Sequence, residues 1–140
     1  MNTPSNRQLL ARSSKHFWLV VSVFLLTAVS PLNAQGGIAK RIISIVPAVT
    51  EMLFAIGAGD QVVGVSSFAG YPDEVNSRPR VGALLDPNIE RILSLKPDLV
   101  VMHESQTDAI EQMRRGGIEV FLYRHGNIAD ITDTIRQLGR

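Results

Sequence analysis

His103 and Glu104 are adjacent at the carboxyl end of an apolar run, Asp98–Met102, and His125 follows the next such run, Ile118–Tyr123. Imidazole and carboxylate groups ligate transition metals or exchange hydrogen bonds with a bound molecule. A zinc centre takes three or four N, S or O ligands. After residue 34 these two histidines stand alone, and the chain has no cysteine. His103, Glu104 and His125 therefore form a minimal metal-binding alternative, beside a reading of His103 as a polar group on the wall of a mostly apolar pocket. Phe68 and Tyr71 either stack on a ligand or pack their own loop. Catalysis finds no support: Ser44, Ser66 and Ser67 lack a nucleophile-elbow context, and no carboxylate pair has a defined helical spacing. The chain reads as a non-enzyme without a cofactor of its own.

Positioning these groups falls first to Arg41–Val65, a strand, a helix and a strand with little between them. Ile42–Val46 is β-branched apart from Ser44, as a strand buried on both faces requires. Pro47 stops it and suits a helix's first turn; Val49, Met52, Leu53 and Ile56 then recur at helical spacing, with Thr50 and Glu51 near the helix's positive end. Gly57-Ala58-Gly59 follows a helix and precedes a strand, the reverse of a pyrophosphate-cradling order, so it reads as a cap and turn.

Ser66–Leu85 has no sustained periodicity and is a loop of functional length. Asp86-Pro87-Asn88 predicts a helix start, with Asp86 as cap and a buried stripe of Ile89, Ile92 and Leu93. Ser105 and Asp108 predict a capping box, Ile110 and Met113 an inward face, and Glu111 with Arg115 an i,i+4 pair. Ile128, Ile131, Ile135 and Leu138 predict a last amphipathic helix. Strands alternating with helices imply an α/β fold, a parallel sheet with helices on both faces. Its carboxyl edge, where helix amides lie unpaired, is where such folds bind ligands.

Residues 1–34 differ in character. Arg7, Arg12 and Lys15 precede an uncharged apolar core, Phe17–Val29, and Leu32-Asn33-Ala34 offers a cleavage point. This pattern predicts a signal peptide, with an uncleaved anchor as the alternative, because the core is short of the roughly 20 residues of a membrane span. All 13 acidic residues lie beyond it but only 11 of the 14 basic ones, so residues 35–140 carry a net charge of −2. The basic pI belongs to the leader and gives no support for nucleic-acid binding. Without cysteine there is neither a disulfide nor a lipid-bearing anchor. The expected product is a soluble, monomeric protein of the periplasm.

The stretches RIISIVPAVTEMLFAIGAGDQVVGVSSFAGYPDE and VGALLDPNIERILSLKPDLVVM resemble the periplasmic substrate-binding proteins of cobalamin and iron-siderophore ABC importers, more closely the cobalamin-binding members. The resemblance covers Arg41–Arg140. It implies two α/β lobes joined by one long helix, with ligand in the cleft between them, of which residues 35–140 match the first; a truncated, non-functional lobe is a further alternative. It also implies a strand order of 2-1-3-4, a switch point between strands one and three, and a ligand wall on the Pro47–Thr50 corner, Phe68, Leu84 and His103. Cobalamin binders often carry Trp at the last two positions, so a ferric siderophore or haem is the alternative ligand. The resemblance further implies that Glu90 docks onto arginines of a membrane permease, the chain's only membrane contact if the leader is removed.

Overall fold

The computed structural model describes residues 38–140; the signal-peptide reading falls outside them. Four strands, β1 (Ile42–Ser44), β2 (Val62–Val65), β3 (Leu99–His103) and β4 (Glu119–Tyr123), alternate with four helices, α1 (Pro47–Ala55), α2 (Ile89–Ser94), α3 (Thr107–Arg115) and α4 (Ile128–Leu138). The strands form one parallel sheet in the order β2-β1-β3-β4, as the resemblance implies.

Side chains alternate across this sheet with a period of two, which gives it two apolar faces. Ile42, Val46, Val62, Val65 and Val101 point to the face covered by α1 through Val49 and Leu53, and by Leu138 of α4. Ile43, Ile45, Val100 and Met102 point to the other, covered by α2 through Ile92 and by α3 through Ala109, Ile110 and Met113. Each large side chain buried here contributes about 1.5–3 kcal/mol relative to exposure, so the double-sided core fixes the register of the strands that carry the loops. A bulge in β1–β2 pairing opposes Ile43 to Gly64. A Cβ on Gly64 would lie 3.0–3.2 Å from Leu95, Val81 and Ile43, so that close layer contact depends on glycine.

The amino-terminal rim is clamped by two charged residues. Asp98 accepts from the backbone N–H groups of Lys40 and Arg41, at 2.8 and 3.0 Å. The Arg41 guanidinium donates to the carbonyls of Leu95 and Lys96 just past α2, satisfying acceptors that a helix end leaves open.

Several local expectations are corrected. The cap of α2 is Asn88, whose side chain accepts from Arg91 N at 2.8 Å; the Asp86 backbone is engaged with Ala83 in the preceding turn. Leu93 is 44% exposed, because six residues of helix give a stripe only one fully buried side chain wide. The Ser105–Asp108 capping box does not form, and Gln106 stands at the N-cap of α3. On α4, Ile128 is 81% and Ile131 37% exposed: this helix reaches the core through Leu138, and its first turns overhang the sheet. The Glu111–Arg115 ion pair forms as expected.

Candidate functional site

The carboxyl ends of the four strands run into Ser66–Phe68, Val46–Pro47, His103–Glu104 and Tyr123–His125, in spatial order from β2 to β4. Three inter-strand spacings set the length of this row at roughly 14 Å. From β1 the chain turns onto one face of the sheet, and from β3 onto the other. Such divergence opens a crevice between them, the usual binding place of open α/β sheets.

The Pro47 corner is built around one carbonyl. Val46 O accepts from the N–H groups of Val49 and Thr50 and from the hydroxyls of Ser44 and Thr50. Thr50 is therefore fully buried and holds the corner from inside, which corrects its expected place on the ligand wall. Pro47 is half-buried on the crevice side.

Beyond β2, the loop bearing Phe68 is pinned from three sides. Ser66 Oγ accepts from Phe68 N at 3.2 Å, Ser67 N donates to Gly82 O at 2.7 Å, and Ala69 N donates to Ser66 O. The Arg80 guanidinium then donates to the carbonyls of Ser66 and Ala69, at 3.0 and 2.5 Å. Carbonyls of the buried Ser66 and Ala69, turned inward by the bend, need such donors. Despite these restraints Phe68 is 78% and Tyr71 67% exposed. Neither aromatic packs its own loop.

Gly82–Asn88 forms the next loop. Gly82 has φ +90°, and Ala83 and Asp86 exchange backbone hydrogen bonds, so Leu84 and Leu85 sit at a tight tip. Leu85 is 95% exposed and Leu84 half-buried. An open groove of about 330 Å³ runs between this tip and the start of α3, floored by Leu84, Pro87, Ile89 and Ala109.

The fourth wall is held by side chains. Gln106 accepts from His103 N at 2.9 Å and donates to Leu84 O at 2.9 Å, riveting the end of β3 to the Leu84 loop. His103 packs against His125, with ring centroids 5.2 Å apart, and against Tyr123 at 6.4 Å. Tyr123 and His125 meet edge to face at 5.1 Å. Glu104 turns away and pairs with Arg124 at 2.9 Å on the surface. The metal alternative is corrected accordingly: among the described residues no three His, Cys, Asp or Glu side chains group to hold an ion.

The edge thus brings Pro47, Phe68, Leu84 and His103 onto one side of the molecule; Glu90 is exposed in the first turn of α2. Gln106 and Arg80 escape sequence reading. Glutamine is an uncommon cap, and a loop arginine between Pro79 and Val81 gives no sign that carbonyls are its partners.

Fold, diverging helices and an aromatic-studded carboxyl edge define an open α/β lobe, a framework whose ligand sites lie at that edge. The chain belongs to the periplasmic binding protein family, whose sequence model matches residues 42–140. It is 39% identical over 105 residues to the uncharacterized ABC transporter substrate-binding lipoprotein YvrC of Bacillus subtilis, an alignment covering 71% of this chain and 33% of that one. The periplasmic vitamin B12-binding protein BtuF of Vibrio cholerae superposes with a TM-score of 0.68 at 34% identity, over 73% of this chain and 41% of BtuF. The periplasmic heme-binding protein HutB of Vibrio cholerae does so with a TM-score of 0.63 at 30% identity, over 70% and 39%. All three are named for binding, none for catalysis, and this chain spans less than half the length of each.

Proposed function

We propose that this chain forms one lobe of the substrate-binding component of an ABC importer, working outside the cytoplasm and capturing cobalamin or a related metal chelate for delivery to a membrane permease. The observation that carries the reading is Phe68: a large aromatic left in solvent on a loop held by hydrogen bonds among Ser66, Ser67, Ala69, Arg80 and Gly82, in line with Pro47 and His103. Exposed aromatics on rigid supports bind at low entropic cost. An apolar ring laid along this edge would cover Phe68 and Leu84, while polar groups at its rim would meet His103. Haem is the second reading, favoured by the likeness to HutB.

A lobe offers one wall of a cleft, and burying a ligand takes most of its surface. Cyanocobalamin titrated calorimetrically into the chain should therefore bind with a dissociation constant of roughly 0.1 mM or weaker, about −5.5 kcal/mol or less. Submicromolar binding would refute the one-wall account. For docking, the test is a chimera joining this lobe to the second lobe of a relative: Glu90→Ala should lower uptake and leave ligand affinity unchanged. Normal uptake in that variant would remove Glu90 from the permease contact.

A further inference from the structure

His103 is held in one tautomer. The backbone N–H of Ser105 donates to His103 Nδ1 at 3.2 Å, and Ser105 Oγ lies 2.8 Å from the same nitrogen. A proton on Nδ1 would meet the Ser105 N–H head-on, so Nδ1 is the acceptor and the neutral ring carries its proton on Nε2. The main chain at this point is fixed by Gln106, and the ring plane by His125 and Tyr123. Nε2 bonds no described residue and is not among the buried polar atoms lacking a partner, so its N–H reaches solvent.

From this geometry we infer that His103 is a preset hydrogen-bond donor on the crevice wall, reading a carbonyl or carboxylate oxygen on the periphery of the bound chelate, and is not a ligand to the chelate's metal. The inference rests on the importer reading for its ligand. Coordination through Nε2 requires that nitrogen without its proton. Moving the proton to Nδ1 would surrender the Ser105 N–H bond and leave the Ser105 hydroxyl as the one described acceptor for it. A donor already oriented, by contrast, needs no rearrangement. The cargo this wall suits is an organic chelate whose metal is saturated by its own ligands and whose rim bears oxygen acceptors. Ser105 is a positioning residue: it acts on the cargo only through the tautomer it sets.

Long-range proton–nitrogen NMR on the full chain at a pH where the ring is neutral reads the tautomer directly. Nε2 should be protonated and Nδ1 bare, and Ser105→Ala, which keeps the backbone N–H and removes only the hydroxyl, should leave the Nε2-protonated form in the majority without unfolding the chain. A wild-type ring protonated on Nδ1, or an even mixture, overturns the assignment. The second arm adds aquocobalamin, whose axial water an imidazole can displace, at millimolar concentration. The corrin's visible bands should stay where they stand in buffer, with the Nε2 proton retained and its resonance displaced. A band shift that disappears in His103→Ala overturns the proposal. His103→Gln, which restores an N–H donor, should bind about tenfold better than His103→Ala, the difference one hydrogen bond makes. If aquocobalamin and haemin both leave Phe68 and Leu84 unmoved in the two-lobed chimera, the importer reading fails, while the tautomer measurement still decides the state of His103.

Discussion

The two ends of the carboxyl edge are built by different means. Around Phe68 the chain is held by main-chain groups: Ser67 N on Gly82 O, Ala69 N on Ser66 O, with the Arg80 guanidinium gathering the carbonyls left over. Around His103 two main-chain bonds, Glu104 N to Tyr123 O and Gln106 N to His103 O, are joined by side-chain links, with Gln106 bridging strand end and neighbouring loop and the His103 ring engaged by Ser105. Backbone links persist through most substitutions. Side-chain links vanish with a single one. The first end is therefore the less sensitive to local sequence, and the second is where a single substitution alters the edge most.

The sharpest break in this contrast is the residue on which the backbone-built end depends. Gly82 adopts φ +90°, and a Cβ there would lie 2.4 Å from Asp86 O and 2.7 Å from Asn88 N, both main-chain atoms that cannot swing aside. Gly82→Ala should lower stability by roughly 2–4 kcal/mol, combining left-handed strain with overpacking. Urea denaturation measures it. A loss below about 1 kcal/mol would mean the loop yields, and the platform is not rigid.

At the other end, Gln106→Ala leaves His103 N and Leu84 O without their shared partner. The expected cost is about 1–3 kcal/mol, at the low end if water enters from the adjacent groove. Amide chemical shifts should move at both His103 and Leu84. Changes confined to one of them would show that Gln106 anchors a single loop and that the two walls are independent.

How far all this was legible follows the same division. The sheet and its helices are written in periodic apolar runs: Ile42–Val46 could only be a doubly buried strand, and Gly57 closes α1 with φ +83° where a cap was expected. The strand order came from resemblance, since periodicity alone does not say that β1 lies between β2 and β3. Local polar choices were opaque. Ser105 could cap a helix or hold a histidine, and the two differ by little energy until the fold places His103 beside it. Thr50 had the right position to face a ligand, yet its hydroxyl turns inward to Val46 O. Such short side chains have several partners within reach, and tertiary context selects among them. Asp86 lost its capping role in the same way, because the turn that Gly82 permits had already claimed its backbone.

The smallest expected change in stability falls on the residue with the largest expected role in binding. Phe68 is 78% exposed, so truncating it removes little buried area, and Phe68→Ala should alter unfolding free energy by no more than about 0.5 kcal/mol. The supporting bonds involve Phe68 only through its backbone N–H, which alanine retains. A stability loss above about 1 kcal/mol would show that the ring packs its own loop in solution. With the scaffold intact, the effect on a bound apolar ring is separable: loss of one aromatic contact should weaken cyanocobalamin binding by tenfold or more in the two-lobed chimera. Phe68→Tyr should recover most of it, since the stacking face is unchanged. If Phe68→Ala binds as well as the parent, the exposed aromatic serves some other surface, and ligand contact along this edge shifts to Leu84 and the His103 end.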